Sequence, residues 1–162
     1  MKPSELSHAE FLARFGSVYE ASPWVAEGVW PAVEDGGLDD PAALAAAMRA
    51  EVDAAPREMQ LALIRAHPEL ASRARMADAS VKEQSGAGLD RCSAEEFAAF
   101  QRLNGAYNAR FGFPFIVAVK GLSRADILAA FEARLANDPD TEFATAIAQI
   151  HRIAGFRVAD QT

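Results

Sequence analysis

The sequence predicts an all-α fold, a single compact domain of about seven to nine helices spanning residues 1–162. Apolar residues recur at spacings of three and four along most of the chain, which is the period of an amphipathic helix. Helix start signals recur as well, each a Ser or Asp followed by Pro or Glu. Strand signals are poor, because only residues 115–119 look β-like and one strand would have no partner.

The first helices follow from local capping chemistry. Ser7-His8-Ala9-Glu10 reads as a capping box, and apolar residues follow it at core spacing. Pro23-Trp24 and Trp30-Pro31 flank a short, interrupted helical piece, and residues 33–39 form a loop rich in Gly and Asp. These signals predict one clear helix, then a broken segment.

The next two helices are bounded by prolines. Asp40-Pro41 supplies a cap and a first-turn proline for a helix that runs to about Ala54. Another helix begins at Pro56 and ends near His67, because Pro68 disfavours helical geometry in the residue before it.

Similar capping signals predict the helices in the second half of the chain. Asp78 is a candidate cap, and Ser93 opens a second capping box that leads into an aromatic stripe ending at Gly112. A further helix runs from Ser123 to Asn137. Asp138-Pro139 then begins the last helix, which reaches roughly Val158.

Composition excludes several classes of function. The formal net charge is −7 and no polybasic run occurs, which argues against a nucleic-acid partner. The longest apolar run, residues 113–119, is far shorter than the roughly 20 residues that span a bilayer, so no membrane role is expected. Cys92 is the only cysteine, and the N-terminus lacks a secretory apolar core. A cytoplasmic location is therefore expected.

A segment ending in two glycines is the strongest candidate for a site. Ser80, Glu83 and Gln84 lie at helical spacing, so one face of a helix would present a hydroxyl, a carboxylate and a carboxamide. Gly86 and Gly88 would then allow a tight stop or a close approach to a ligand. The alternative is a polar helix end with a glycine cap.

Among the three histidines, His67 is the best acid/base candidate. It lies at a helix end, where Pro68 extends the backbone and moves the His67 side chain off the helical face. His8 is expected to be solvated in a first turn, and His151 to be packed or exposed in the last helix. No His or Cys pair has metal-ligand spacing and no glycine loop follows a strand, so neither a metal nor a cofactor is expected.

Three motifs occur in order along the chain: His67-Pro68-Glu69-Leu70-Ala71, Ser80-x-x-Glu83-Gln84-x-Gly86-Ala87-Gly88-Leu89 and Asn104-x-x-Tyr107-x-x-Arg110-Phe111-Gly112-Phe113-Pro114-Phe115. Together they resemble the 2-oxo-4-hydroxy-4-carboxy-5-ureidoimidazoline (OHCU) decarboxylases, which complete the conversion of urate to (S)-allantoin. An N-terminal match, Phe15-Gly16-x-Val18-Tyr19-Glu20-x-Ser22-Pro23-Trp24, and the late Arg157 extend the resemblance over almost the whole chain. Ser85 departs from the alanine common there, and Lys82 occupies a variable polar position.

The resemblance implies a cofactor-free carboxy-lyase and a homodimer that acts on a small ureidoimidazoline. It implies His67 as the acid/base residue, with Glu83 as its catalytic companion. The implied substrate-binding residues are Pro68, Ser80, Val81, Lys82, Gln84, Phe115, Ile116, Val117, Ala118, Val119 and Arg157. The residues at 115–119 would close the pocket largely through backbone groups, and Arg157 would supply positive charge.

The chemistry is consistent with the lack of a cofactor signal. The substrate of this family has a C=N bond beside the carbon that loses CO₂, so it contains its own electron sink. Two alternatives stay open at this stage. One is another enzyme for a related ureido or hydroxy-acid compound on the same scaffold. The other is a non-catalytic helical interaction module.

Overall fold

The computed structural model describes residues 1–70 and 94–162. These ranges contain seven α-helices and a short 3₁₀ turn at Pro3–Glu5, and they contain no strand. The helices are α1 (His8–Phe15), α2 (Trp24–Glu34), α3 (Pro41–Ala54), α4 (Arg57–Ala66), α5 (Ala94–Phe111), α6 (Arg124–Leu135) and α7 (Pro139–Gln161). The all-α prediction is confirmed.

Side-chain caps begin the helices where the sequence places them. Ser7 accepts a hydrogen bond from the Glu10 amide at the start of α1, and Asp40 accepts one from the Ala43 amide at the start of α3. At α6, Ser123 and Asp126 form a reciprocal capping box. Each cap satisfies backbone donors that the first helical turn leaves without partners.

The α2 helix differs from the prediction of an interrupted piece. It runs without a break from Trp24 to Glu34, with Pro31 inside it, and it takes in the first residues of the expected 33–39 loop. Proline in a helix removes one amide donor. Val25, Val29 and Val33 are nevertheless buried on one face of α2, and this packing outweighs the lost bond.

The described chain divides into two compact units, which together contain all seven helices. The first unit comprises Met1–Ala66 with His151–Thr162, and the second comprises His67–Ile150. The first unit packs α2 against α3, whose buried face carries Leu44, Met48 and Val52. The α7 helix contributes residues to both units. The single domain over residues 1–162 stays a prediction.

The second unit has an aromatic core around Tyr107 of α5. The Tyr107 ring meets those of Phe115 and Phe131 edge-on, at 5.4 and 5.9 Å between centroids. Phe115 and Phe131 stack at 3.8 Å. The α5 helix ends at Phe111, and Gly112 follows with φ of 75°, a conformation that favours glycine. This stop agrees with the predicted helix end and releases the chain into residues 113–119.

None of the helices in the described ranges has both the length and the apolar character needed to cross a membrane.

Candidate active site

His67 follows directly after the last residue of α4. Its ring is buried, with 7% of the residue exposed, and Pro68 next to it is half-buried. The predicted helix end is confirmed, because α4 stops at Ala66. A buried imidazole at a helix end is shielded from bulk water, as a group that transfers protons to a bound substrate should be.

Two asparagines of α5 hold the residues that follow His67. Asn104 donates its side-chain amide to the Leu70 carbonyl at 2.8 Å, and Asn108 donates to the Glu69 carboxylate at 2.5 Å. The two asparagines are four residues apart and therefore lie on the same face of α5. The first residue of the third motif thus fixes the segment that carries His67.

Residues 115–119 form an irregular segment without helix or strand bonding. Phe115, Ile116, Ala118 and Val119 are buried, while Val117 is half-buried. Arg134 of α6 donates to the Ile116 carbonyl at 2.5 Å, and Gln149 of α7 accepts from the Ala118 amide at 2.9 Å. Among the described residues, neither backbone polar group of Val117 has a hydrogen-bond partner.

Arg134 belongs to a buried polar cluster in the second unit. Its guanidinium binds both carboxylate oxygens of Glu142, at 3.0 to 3.2 Å, and Glu142 is fully buried. Tyr107 donates its hydroxyl to the same carboxylate, and Asn137 donates its side-chain amide at 2.9 Å. Burial and the bond to Glu142 raise the pKa of Tyr107, which therefore remains a donor near neutral pH.

The α5 helix contacts both segments of the candidate site. Asn104 and Asn108 bind residues 69–70, while the Tyr107 ring packs on Phe115. Arg110, the next residue of the motif, donates to the Asn137 carbonyl just after α6. The motif therefore supports the site from α5 within the second unit.

Arg157 lies in the first unit, on α7. Its Nη1 donates to the Glu20 carboxylate at 2.9 Å and to the Val18 carbonyl at 3.2 Å. Arg157 is 6% exposed, so its charge is partly balanced by Glu20 in a buried setting. Both partners belong to the N-terminal sequence match.

Five predicted site residues lie outside the described part of the chain: Ser80, Val81, Lys82, Glu83 and Gln84. The candidate caps Asp78 and Ser93 lie there too. In the described ranges, no group of three or more His, Cys, Asp or Glu residues is placed to hold a metal ion.

Sequence reasoning missed the side chains that hold the 115–119 segment. Gln149 and Arg134 lie 31 and 18 residues from their backbone partners, and Glu142 is the buried counter-charge. The only available signal was the presence of charged residues at core positions of predicted helices. Polar residues at such positions require partners, but the sequence does not say which.

The described residues thus combine an all-helical fold with a buried histidine whose following backbone is held by α5. A family model described as OHCU decarboxylase matches residues 4–159. The chain therefore belongs to the OHCU decarboxylase family.

Individual relatives agree with this assignment. A 2-oxo-4-hydroxy-4-carboxy-5-ureidoimidazoline decarboxylase of Haloferax volcanii is 44% identical, covering 98% of this chain and 92% of the relative. A crystal structure of (S)-allantoin synthase matches with a TM-score of 0.80 and 32% identity, over 98% of this chain and 52% of that chain. A crystal structure of OHCU decarboxylase in the presence of (S)-allantoin has a TM-score of 0.73 at 23% identity, over 90% of this chain and 94% of that one, and it supports the fold.

Proposed function

We propose that this protein decarboxylates 2-oxo-4-hydroxy-4-carboxy-5-ureidoimidazoline and releases (S)-allantoin in urate degradation. The observation that carries the proposal is the 44% identity, over nearly the full length of both chains, to a relative named for this reaction. The protein is a carboxy-lyase. The burial of His67, and the bond from Asn104 to the backbone that follows it, support a catalytic role for this segment.

The reaction breaks the bond between the ring carbon and its carboxylate. The electron pair moves toward the neighbouring C=N bond, whose nitrogen takes up a proton from water, and CO₂ leaves. The resulting enediol-like intermediate loses its hydroxyl proton and gains a proton on the carbon that bears the ureido group. The protein has to orient the substrate, stabilise the developing charge and deliver the proton to one face. Delivery to one face sets the configuration of (S)-allantoin.

In this proposal His67 accepts the hydroxyl proton and supplies the carbon-bound proton. Its burial supports this role, because a shielded imidazole exchanges protons with the substrate rather than with bulk water. Glu83 orients His67 or a ring N–H. Pro68, Ser80, Val81, Lys82 and Gln84 line the pocket and hold the oxygens and the ureido group.

The backbone at residues 115–119 completes the pocket in this proposal. A ureidoimidazoline presents alternating N–H and C=O groups, and a peptide unit is complementary to such an edge. Val117 offers one donor and one acceptor that have no partner among the described residues. The side chains of Phe115, Ile116, Ala118 and Val119 are committed to burial, so the backbone is what remains for binding.

Arg157 is proposed to bind an anionic or carbonyl end of the substrate that persists in the product. Strong binding of the departing carboxylate by Arg157 would stabilise the ground state and slow the reaction. The bonds from Arg157 to Glu20 and Val18 hold its guanidinium in one orientation, which reduces the entropy lost on binding.

The proposal is tested by generating the unstable ureidoimidazoline from urate in situ and following (S)-allantoin by circular dichroism. The wild-type protein should accelerate the appearance of the circular dichroism signal of the S enantiomer. His67→Asn should fold normally and lose at least about a hundredfold in turnover, the usual range for a general acid/base. His8→Asn is the matched control, because that histidine lies exposed beside Glu27.

Two outcomes would overturn the assignment. A wild-type rate equal to the spontaneous reaction would remove the decarboxylase proposal. Near-normal turnover of His67→Asn would remove His67 from the mechanism. We also propose a cytoplasmic location without nucleic-acid or membrane partners, which the net charge of −7 and the single cysteine support. The homodimer is proposed on the family resemblance alone.

A further inference from the structure

We propose that Gln149 and Arg134 are positioning residues, which set the backbone at residues 116–118 for the substrate. The inference rests on the proposed function, and it adds two side chains that the family motifs do not include. Neither residue is proposed to touch the substrate. Both act through the peptide groups on either side of Val117.

Arg134 fixes the first of these peptide groups. Its Nη1 donates to the Ile116 carbonyl at 2.5 Å, and its guanidinium lies over the Phe115 ring at 4.4 Å. The bidentate contact with Glu142 holds the guanidinium plane in one orientation. Because the guanidinium is planar and rigid, the Arg134–Glu142 pair sets the direction of the Ile116 carbonyl.

Gln149 fixes the second peptide group. Its Oε1 accepts from the Ala118 amide at 2.9 Å, and the side chain comes from α7, a different helix from that of Arg134. Two restraints from two helices determine both the position and the rotation of the chain between them. These two restraints therefore set the directions of the Val117 N–H and C=O groups.

A purely stabilising role explains the Arg134 cluster poorly. Buried ion pairs contribute little net stability compared with apolar residues of the same volume, whereas they do fix geometry. The 115–119 segment has no helix or strand ladder to define its path. Side-chain bonds to its backbone are therefore the means by which its geometry is held.

The test compares Gln149→Ala and Gln149→Glu with Thr145→Ala. Thr145 lies one turn earlier on α7, and its hydroxyl bonds to the Thr141 carbonyl of the same helix, so its loss leaves the 115–119 segment untouched. Two readouts are measured on each folded protein: hydrogen exchange of the Ala118 amide by NMR, and kcat and KM with the ureidoimidazoline generated in situ. Arg134→Lys is added where it folds.

Gln149→Ala should speed exchange at Ala118 by roughly tenfold or more. It should also lower kcat/KM by about ten- to a hundredfold at a temperature where the circular dichroism spectrum is native. Gln149→Glu keeps an acceptor at the same place and should restore both readouts. Thr145→Ala should change neither. Arg134→Lys keeps the charge beside Glu142 but loses the fork, so it should raise KM and lower kcat together.

Faster exchange at Ala118 with unchanged turnover would overturn the inference, as would unchanged exchange in Gln149→Ala. Failure of the proposed function gives a different result. In that case the wild type would not accelerate the reaction, and the inferred role in catalysis would fall with it, while exchange at Ala118 would still report whether Gln149 holds the segment.

Discussion

His151 is a buried histidine whose two ring nitrogens both have partners within the first unit. Its Nε2 lies 2.9 Å from an Asp53 carboxylate oxygen, and its Nδ1 lies 2.8 Å from the Tyr19 hydroxyl. An ionised carboxylate can only accept, so the neutral ring carries its proton on Nε2. Nδ1 then accepts from Tyr19. The sequence left open whether His151 is packed or exposed, and the structure buries it, with 8% of the residue exposed.

This arrangement predicts a loss of stability in mild acid. Burial lowers the pKa of His151, and the bond to Asp53 only partly opposes that effect. A histidine whose pKa is lower in the folded state contributes its full stability above the ordinary value of 6.5, and that stability is lost as the pH falls through the folded pKa. Protonation would also place a second donor opposite the Tyr19 hydroxyl.

The melting temperatures of wild type and His151→Gln are measured between pH 8 and pH 5. This range contains the ordinary pKa of histidine. The variant should be less stable at pH 8 and should show a smaller decline toward pH 5. His8→Gln is the control, because it removes a histidine whose side chain is about half-exposed. Equal slopes for wild type and His151→Gln would contradict the assignment of the acid sensitivity to His151.

At the scale of elements, α5 acts as the support of the candidate site. Asn104 is 2% exposed, and its side-chain amide is the donor to the Leu70 carbonyl. Asn104→Ala leaves that buried carbonyl without its donor, which should cost about 1–3 kcal/mol of unfolding free energy. Asn104→Asp should cost more, because an oxygen then faces the carbonyl oxygen.

Urea denaturation of these variants checks the order of stability. Asn108→Ala provides the comparison, since its partner Glu69 is a half-buried side chain that water can solvate after the change. We expect Asn108→Ala to be the mildest and Asn104→Asp the most damaging. A variant Asn104→Asp as stable as the wild type would remove the assigned donor role.

The elements that sequence reasoning predicted well are those whose causes are local. The caps at Ser7, Asp40 and Ser123, and the end of α4 before Pro68, depend on residues within one helical turn. The continuity of α2 was missed because two prolines suggested a break, whereas the burial of its apolar face favours an unbroken helix.

In the candidate site, His67 could be predicted from its sequence neighbours, whereas the side chains that hold residues 116–118 could not. His67 could be selected because its sequence neighbour Pro68 shapes its surroundings. The bonds from Gln149 and Arg134 join residues 31 and 18 positions apart, and hydrophobic period carries no information about such pairs. Only the folded chain brings them together.

For the whole molecule, α7 is the element that bears on cooperativity. This helix runs from Pro139 to Gln161, and its residues are shared between the two compact units. In the first unit its C-terminal part supplies His151 and Arg157. In the second unit its N-terminal part supplies the fully buried Glu142. Neither unit can keep its polar contacts if α7 unfolds.

We therefore expect one thermal transition, with the calorimetric enthalpy equal to the van't Hoff enthalpy. Ala148→Pro tests the coupling, because Ala148 is exposed on α7 and the change damages the helix without removing core contacts. A cost of about 3 kcal/mol should lower the single melting temperature by roughly 6–12 °C. Ala148→Gly should lower it by about 2–4 °C. Two transitions in the wild type, or a proline variant that shifts only part of the melt, would show instead that the units unfold separately and that the predicted single domain is wrong.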